Sequence, residues 1–346
     1  MAKKLQIALC GCQGHIEKFG QLINSYPESK VIAAWDRIPV RAEAVADRLG
    51  IPAEKDYDRL LSDYGLDGVV IAAENALHKD LVIKAARAGI SVFLEKPLCA
   101  DPADAREMQK AIHESGVKFY MSDPFVRPGH LFVKKLIDEG MLGKITGARV
   151  RLGSDAALHP GEDWPLYDKS LSLGGIMADV GGHAIHIAHY LFGMPSALSA
   201  MLTRSTQRAK AAGVEENAVV VMLYPDDKLV TLECSWVSSN DILQTEVFGT
   251  EGWARVMRRG QEEGGDLVTW RSGAGPTVES YGDALPPDPE RHVRYWVEMM
   301  ANDLPNELVG VEDRSHKGVN VDIAAQFVEI IDAIYRSADG NVVMLP

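Results

Sequence analysis

Three histidines and an aspartate lie close together in the segment GGIMADVGGHAIHIAHYLFG, residues 174–193. In a helix, a turn of 100° per residue places Asp179, His183 and His186 within about 60° of one another, with His189 further round. Imidazole titrates near neutral pH, so His183 is a candidate base for removing the proton of an alcohol. Asp179, one turn away, is a candidate for orienting this imidazole.

Two other interpretations of the segment stay open. Asp179, His183 and His186 could be metal ligands, although His159 is the only conceivable fourth ligand that we identify. The histidines could also be solvated side chains on a helix surface. We favour the acid–base role and predict no metal site, because no fourth metal ligand is evident in the sequence.

A second candidate group lies in VFLEKPL, residues 92–98. The apolar run predicts a buried parallel strand that ends near Glu95, and ligands bind outside the carboxyl ends of such strands. Lys96, wedged between this strand and Pro97, could hold the substrate and stabilise a developing alkoxide. A solvated surface lysine is the simpler alternative.

A glycine turn near the start of the chain predicts a dinucleotide site. The turn stands between a predicted strand and a predicted helix, where such domains bind pyrophosphate. A GxGxxG spacing counted from Gly11 places Gln13 and Ile16 at the second and third glycine positions, so only Gly11 and Gly14 remain. The Gln13 amide could itself donate to phosphate.

The residues after the second predicted strand bear on the choice between NAD and NADP. Asp36 follows Gly11 by 25 residues. An acidic residue there accepts hydrogen bonds from a ribose 2′-hydroxyl and repels a 2′-phosphate, which favours NAD. Arg37 could instead bind a phosphate, so NADP stays an alternative.

The elements that must position these groups change in character near residue 123. Five apolar runs alternate with helical segments before that point and predict a parallel sheet covered on both faces; they are residues 5–10, 30–36, 66–73, 90–96 and 117–123. Antiparallel strands follow between about 197 and 271, and a helix closes the chain at 319–340. We therefore predict an α/β fold with a doubly wound Rossmann domain at 1–123 that binds NAD(P). An α+β domain at 124–346, built on a mainly antiparallel sheet, would bind substrate and mediate oligomerisation.

Composition and charge limit the partners of the chain. The net charge of −13 over 346 residues, with no evident basic patch, excludes a typical nucleic-acid binder. We identify no apolar run long enough for a signal peptide or a membrane span. The four cysteines show no disulfide framework, so we expect free thiols and a cytoplasmic protein.

Several segments together carry a family resemblance. They are the glycine turn ALCGCQGHIEKFG (8–20), WDRIPVRAEAVADRLG (35–50), DGVVIAAENALHKDLVIKAARAG (67–89), VFLEKPLCADPADA (92–105), GGIMADVGGHAIH (174–186), EVFGTEGWARV (246–256) and IYRSADGNVVMLP (334–346). This combination resembles the glucose–fructose oxidoreductase, inositol 2-dehydrogenase and rhizopine-catabolism (Gfo/Idh/MocA) family of nicotinamide-dependent oxidoreductases. The resemblance runs nearly from end to end.

The resemblance implies roles for individual residues. Lys96 matches a lysine that touches the reacting hydroxyl, and Asp179 and His183 match the family's aspartate and acid–base histidine. Asn75 and His78 match a segment beside the cofactor. The resemblance also implies a homodimer or homotetramer that acts on a small sugar or polyol.

The chain departs from the family pattern at three places. The glycine turn lacks two glycines, Glu74 stands where the family often has proline, and His186 replaces a common aspartate. The last change indicates a divergent substrate pocket. The segment SDPFVRPGH, which contains Arg127, also fits the pattern poorly.

The complete predicted site has two sets of residues. The predicted cofactor-binding residues are Gly11, Cys12, Gln13, Gly14, His15, Ile16, Asp36, Arg37, Ala73, Asn75, His78, Glu95, Lys96 and Pro97. The predicted substrate-binding residues are Lys96, Arg127, His159, Trp164, Asp179, His183 and His186. Trp164, Trp236 and Tyr281 could form platforms for a sugar ring, although packing is the simpler role for each.

The sequence thus predicts an NAD(P)-dependent oxidoreductase that acts on a secondary hydroxyl of a sugar, cyclitol or related polyol. One alternative is a redox-neutral enzyme that uses bound NAD to cleave a glycoside. Another is a ligand sensor or partner subunit that keeps the fold without catalysis.

Overall fold

The structure is a computed structural model that describes residues 3–123, 125–159, 165–239, 241–258, 266–273, 276–281, 288–306, 319–338 and 340–345. The chain divides into two compact units. The first comprises Met1–Asp123, Pro286–Val309 and Lys317–Val328, and the second Pro124–Leu285, Gly310–His316 and Glu329–Pro346.

The first unit contains a six-stranded parallel sheet. Its strands are β1 (Leu5–Cys10), β2 (Ser29–Trp35), β3 (Ala53–Glu54), β4 (Gly68–Ile71), β5 (Ser91–Glu95) and β6 (Phe119–Ser122). They lie in the order β3-β2-β1-β4-β5-β6, and β4 and β6 are buried at every residue. The predicted Rossmann domain is therefore confirmed, with the two-residue edge strand β3 as an addition.

Five helices connect these strands. They are α1 (Ile16–Ser25), α2 (Pro39–Leu49), α3 (Tyr57–Asp63), α4 (His78–Arg87) and α5 (Pro102–Ser115). Helix α5 shows how local sequence sets the bounds. The Asp101 side chain caps it by accepting the amide of Ala103 at 2.6 Å, Pro102 occupies its first turn, and Gly116 ends it with φ of 68°.

The second unit contains a nine-stranded sheet with helices against it. Its helices are α6 (Pro128–Asp138), α7 (Lys169–Ser172), α8 (Ile176–Phe192) and α9 (Gln207–Ala212). Its strands are β7 (Ile145–Gly153), β8 (Ala197–Thr203), β9 (Asn217–Leu223), β10 (Leu229–Ser235), β11 (Ile242–Gly249), β12 (Gly252–Arg258), β13 (Asp266–Ser272), β14 (Thr277–Tyr281) and β15 (Val343–Met344).

The strands of this sheet lie in the order β14-β13-β12-β11-β7-β10-β9-β8-β15. All neighbours are antiparallel except β7 and β10. Helix α8, which carries the histidine segment, packs on β7 and β10. The predicted mainly antiparallel α+β domain is confirmed.

Two helices near the end of the chain, α10 (Asp288–Ala301) and α11 (Val321–Arg336), alter the predicted division. Helix α10 belongs to the first unit, where Trp296 contacts Phe93 with ring centroids 5.6 Å apart and is fully buried. A side chain at Gly68 would lie 2.7 Å from the same tryptophan ring. The sequence predicts a second domain over all of 124–346 and gives no prediction of a helix at α10. The apolar face of α10 completes the core of the first unit, so the two units share the C-terminal part of the chain.

No helix among the described residues is both long and apolar enough to span a bilayer.

Candidate active site

The glycine turn connects β1 to α1 and packs closely against the backbone that follows β4. Gly11 has φ of +76°, and a Cβ there would lie 2.3 Å from the backbone nitrogen of Ala73. Only glycine fits both the left-handed backbone and the contact. Hydrogen bonds from the Gln13 amide to Gly11 O (2.9 Å) and from the Ile16 amide to Gln13 O (3.1 Å) close the turn.

The turn fits the pyrophosphate of a dinucleotide despite its two missing glycines. Within the described residues, the amides of Gly14 and His15 donate to no protein acceptor, and both precede the ten-residue helix α1. The side-chain nitrogen of Gln13 is also buried and has no partner in that part of the chain. These donors lie at the positive end of a helix, which is where an anion binds.

Asp36 lies under this turn. It is 2% exposed, and its two oxygens accept the amides of Cys12 at 2.6 Å and Ile38 at 2.7 Å. The carboxylate therefore holds the glycine turn in place. The ribose contact predicted for Asp36 stays a prediction, and the neighbouring Arg37 pairs with Glu74 at 3.1 Å.

The turn after β5 carries Lys96 next to Glu95, whose carboxylate contacts two groups. Glu95 Oε1 lies 3.1 Å from His15 Nδ1, and Oε2 accepts the amide of Lys96 at 3.0 Å. The hydrogen bond to Glu95 raises the pKa of His15 above its ordinary value. Lys96 is half-buried, and its peptide bond to Pro97 is cis. The contact between Glu95 and His15 joins two of the predicted cofactor-binding segments.

His78, another residue predicted for the cofactor site, is enclosed by the segments that follow β4 and β5. It is fully buried, and its ring nitrogens lie 2.7 Å from Pro97 O and 3.1 Å from Ala73 O. Burial lowers its pKa, so the neutral ring holds one N–H. The ring lies between the segments that follow β4 and β5 and can donate to one of the two carbonyls. The cofactor contact proposed for His78 stays a prediction.

The histidine segment forms helix α8, whose first turn is anchored by a buried carboxylate. Glu215 Oε1 accepts the amides of Gly175 at 3.0 Å and Met177 at 3.3 Å, and the hydroxyl of Tyr335 at 2.8 Å. A Cβ on Gly174 would lie 2.2 Å from the Tyr335 hydroxyl, and one on Gly175 would lie 2.2 Å from Glu215 O. The Gly-Gly pair is therefore needed for this close packing, and a negative charge is favourable at a helix N-terminus.

Asp179 and His183 lie one turn apart on α8, and each contacts an aromatic side chain. The indole nitrogen of Trp236 donates to Asp179 Oδ2 at 3.2 Å. The Phe125 ring stacks on the His183 imidazole with centroids 3.8 Å apart. Both contacts fix the direction of a polar group that could exchange or orient a proton. His186, on the same face, is buried at 4% exposure.

The other predicted substrate residues of the second unit are more scattered. Arg127 precedes α6, and its amide donates to His130 Nδ1 at 3.1 Å. His159 is exposed in the loop after β7. Trp164 and the side chain of Tyr281 lie outside the described residues. Trp236 is 1% exposed, so its ring packs in the interior and is not a sugar platform.

Sequence reasoning missed the residues that support α8. Phe125 stacks on the proposed general base His183, and Glu215 and Tyr335 accept the Gly175 amide at the start of α8. None of these three residues is predicted from the sequence. One signal was available, since two consecutive glutamates precede β9 at an otherwise apolar boundary. The partners of the buried Glu215 lie in α8 and α11, far away in the sequence.

Two further observations concern metal ligands and a cavity near α8. No group of three or more metal-ligating side chains was found among the described residues. A cavity of about 930 Å³ lies at the other end of α8, lined by residues such as Lys134, His189 and Lys228. His189 is about 15 Å along the helix from Asp179, so this cavity does not include the proposed acid–base pair.

Comparison with known proteins gives matches over most of the chain. Residues 5–122 match the model of an oxidoreductase family with an NAD-binding Rossmann fold. Residues 130–255 match the model of the GFO/IDH/MocA C-terminal domain. The chain is similar to the scyllo-inositol 2-dehydrogenase (NAD+) of Bacillus subtilis, with 30% identity over 240 residues that cover 67% of each protein.

Two further proteins resemble this chain over different fractions of their length. The chain is 28% identical over 240 residues to the 2,7-anhydro-N-acetylneuraminate hydratase of Mediterraneibacter gnavus; the match covers 67% of this chain but only 61% of that protein's length. The crystal structure of an aldose-aldose oxidoreductase from Caulobacter crescentus, complexed with glycerol, has a TM-score of 0.83 at 21% identity, over 99% of this chain and 100% of that one. This second likeness concerns the fold alone.

Proposed function

This chain belongs to the GFO/IDH/MocA oxidoreductase family, and on that premise we propose that it is an NAD(P)-dependent dehydrogenase. Its substrate is a secondary hydroxyl of a sugar, cyclitol or related polyol. The observation that carries the proposal is the arrangement on α8, where Trp236 fixes Asp179 and Phe125 fixes His183 one turn away. The similarity to a scyllo-inositol dehydrogenase supports the substrate class.

Each proposed residue has a distinct role in alcohol oxidation. His183 accepts the hydroxyl proton, and Asp179 orients and electrostatically supports the imidazole. The Lys96 ammonium stabilises negative charge that develops on the substrate oxygen. NAD(P), when bound, supplies the hydride acceptor. Four further residues remain proposed substrate contacts on the basis of the sequence alone: Arg127, His159, Trp164 and His186.

The remaining proposed roles concern cofactor binding. The amides of Gly14 and His15, with the side chain of Gln13, would hold the pyrophosphate. Gly11 allows the backbone to approach closely, and Asp36 keeps the turn in shape. At one of the two positions where the turn lacks glycine, the Gln13 side chain would thus supply a donor to the pyrophosphate.

A second candidate is a redox-neutral reaction, which the similarity to a hydratase favours. In such an enzyme, transient oxidation of the substrate would allow elimination, and reduction of the product would restore the cofactor. The same base on α8 could serve both candidates. They differ in stoichiometry, because only the dehydrogenase accumulates reduced cofactor.

Fluorescence titration of the purified protein with NADH and with NADPH tests the proposal, followed by a screen of sugars and polyols. We expect micromolar binding of at least one cofactor and substrate-dependent reduction of NAD(P). Product without net reduced cofactor would favour the redox-neutral candidate. Binding of neither cofactor would contradict both and support a ligand sensor or partner subunit.

We also propose that the chain forms a homodimer or homotetramer through the outer face of the nine-stranded sheet. Apolar side chains are exposed on this face, including Met201 (67%), Val219 (50%) and Leu229 (51%). The strand register pairs Met201 with Val219 and Leu223 with Leu229, and the exposed Val221 lies between the two pairs on β9, so the patch is continuous. Patches of this kind commonly mark protein interfaces. The free thiols of the four cysteines suit the cytoplasm as the proposed location.

A further inference from the structure

The Glu74 carboxylate binds two arginines, one just after β2 and one at the start of α2. Its Oε1 atom accepts from Arg37 Nη2 at 3.1 Å and from Arg41 Nη1 at 3.0 Å. Arg37 follows the end of β2, and Arg41 lies in the first turn of α2. We call these three residues the arginine–glutamate cluster.

The charges of the cluster are arranged unequally with respect to solvent. The Glu74 side chain is 5% exposed, whereas those of Arg37 and Arg41 are 46% and 37% exposed. Burial acts to raise the pKa of Glu74, but its own backbone amide and the two arginines outweigh burial and lower that pKa. The carboxylate stays ionised and neutralises guanidinium groups that could otherwise bind an anion.

The cluster lies beside the glycine turn. Strands β2 and β4 flank β1 in the sheet, so the residues that follow them meet at the carboxyl end of β1. In a dinucleotide fold, the end of the second strand is where the adenosine ribose binds, with or without its 2′-phosphate. Asp36 Oδ1 also lies 3.9 Å from Arg41 Nη1, which gives this region two carboxylates against two guanidinium groups.

We propose that Glu74 is a specificity-determining residue that excludes NADP by occupying Arg37 and Arg41 as an internal substitute for the 2′-phosphate. The inference rests on the proposed cofactor function. A 2′-phosphate would have to displace the Glu74 carboxylate from both arginines and would also be repelled by it. NAD carries a hydroxyl at this position, so it can bind without displacing the Glu74 carboxylate. Removal of the Glu74 charge should therefore release both arginines for NADP.

The test is binding of NADH and NADPH to the full chain after removal of bound nucleotide, measured by fluorescence. We expect the wild-type chain to bind NADH more tightly, and Glu74→Gln to shift the ratio of dissociation constants toward NADPH by about tenfold or more. The gain should become smaller in the double variant E74Q/R41A, which leaves only Arg37 to bind the 2′-phosphate, and should disappear in the triple variant E74Q/R37A/R41A. Asp104→Asn is the matched control: it removes one carboxylate that pairs with Lys79 on the same unit and should leave the ratio unchanged.

A competition experiment on the wild-type chain keeps the inference testable if E74Q fails to fold. Adenosine 2′,5′-bisphosphate should displace NADH less well than 5′-AMP; better displacement by the bisphosphate would overturn the inference. An unchanged ratio in folded E74Q, or a wild-type preference for NADPH, would overturn it while the dehydrogenase proposal stands. Binding of neither cofactor to the wild-type chain would remove the proposed function and this inference together.

Discussion

The phenyl ring of Phe125 lies parallel to the imidazole of His183, with the centroids 3.8 Å apart and the planes inclined by 12°. His183 is itself 6% exposed, so the stack covers one face of a nearly buried ring. Close packing of this kind restricts the rotamers of an imidazole. A general base must lie within hydrogen-bond reach of the proton it accepts. Phe125 is therefore a positioning residue for the proposed base.

Replacement of this ring should lower turnover without removing the base. We expect Phe125→Leu to reduce kcat by about tenfold to a hundredfold, because small displacements of a catalytic group are costly. Phe125→Tyr keeps the stacked ring and should retain most of the activity. Steady-state kinetics on the substrate found in the polyol screen measure both variants. Equal kcat values in wild type and Phe125→Leu would show that the stack does not position His183.

Removal of the proposed catalytic groups should also lower turnover. We expect His183→Ala and Lys96→Ala each to lower turnover by at least about tenfold, since acid–base groups contribute roughly 10²–10⁴. His189→Ala is the matched control, because it removes the same side chain from the same helix at the far cavity. NADH titration checks that the variants still bind cofactor. Full turnover in both His183→Ala and Lys96→Ala would refute the proposed roles.

The buried Glu216 should make the stability of the second unit depend on pH. It accepts hydrogen bonds from the hydroxyls of Tyr167 and Thr206, both at 2.6 Å, and from the amides of Ser205 and Thr206. Burial acts to raise the pKa of Glu216, but these hydrogen bonds outweigh it and lower that pKa. A lowered folded-state pKa adds stability above the unfolded value of about 4.3, and this contribution is lost as pH falls through the folded-state pKa.

Glu216→Gln should therefore cost most near neutral pH, by about 1–3 kcal/mol, because its amide nitrogen cannot accept the donors around it. The difference in Tm from wild type should shrink as the pH falls through the folded-state pKa. Thermal melts over a pH series measure this. Glu233→Gln, which removes an exposed partner of Arg151, should change Tm little at any pH. Parallel Tm curves for wild type and Glu216→Gln would contradict the linkage.

The parts of this fold that the sequence predicted depend on local patterns. The parallel strands of the first unit are buried on both faces, so each reads as an apolar run between helical segments. Strand β3 has only two residues and carries no such pattern. Helix α10 was missed because its role in the first unit depends on contacts such as Trp296 with Phe93, which lie far apart in the sequence.

The same distinction separates the site residues. Helical spacing placed Asp179 and His183 on one face of α8 from local sequence alone. Their support comes from Trp236 and from Phe125, which are 57 and 58 residues away from their respective partners in the chain. The burial of His78, which is 0% exposed, likewise depends on segments such as the one around Pro97 that lie further along the chain. Spacing can identify chemical groups, whereas burial and distant partners decide their roles.

The outer face of the nine-stranded sheet leads to a prediction about assembly. Along β9, exposed residues alternate with buried ones, and Val219, Val221 and Leu223 are 50%, 39% and 39% exposed. An unpaired lysine in the middle of such a face would have to be desolvated if a second copy covered it, which is costly. We therefore expect Val221→Lys to reduce the mass measured by light scattering from that of a dimer or tetramer to a smaller species.

A matched control separates this effect from a general effect of added charge. Val40 on α2 is 65% exposed and lies in the first unit, so Val40→Lys adds the same charge at an exposed valine outside the sheet. Its mass should equal that of wild type, and both variants should melt close to wild type because exposed substitutions change stability little. A monomeric wild-type chain, or an unchanged mass for Val221→Lys, would show that this face is not the interface.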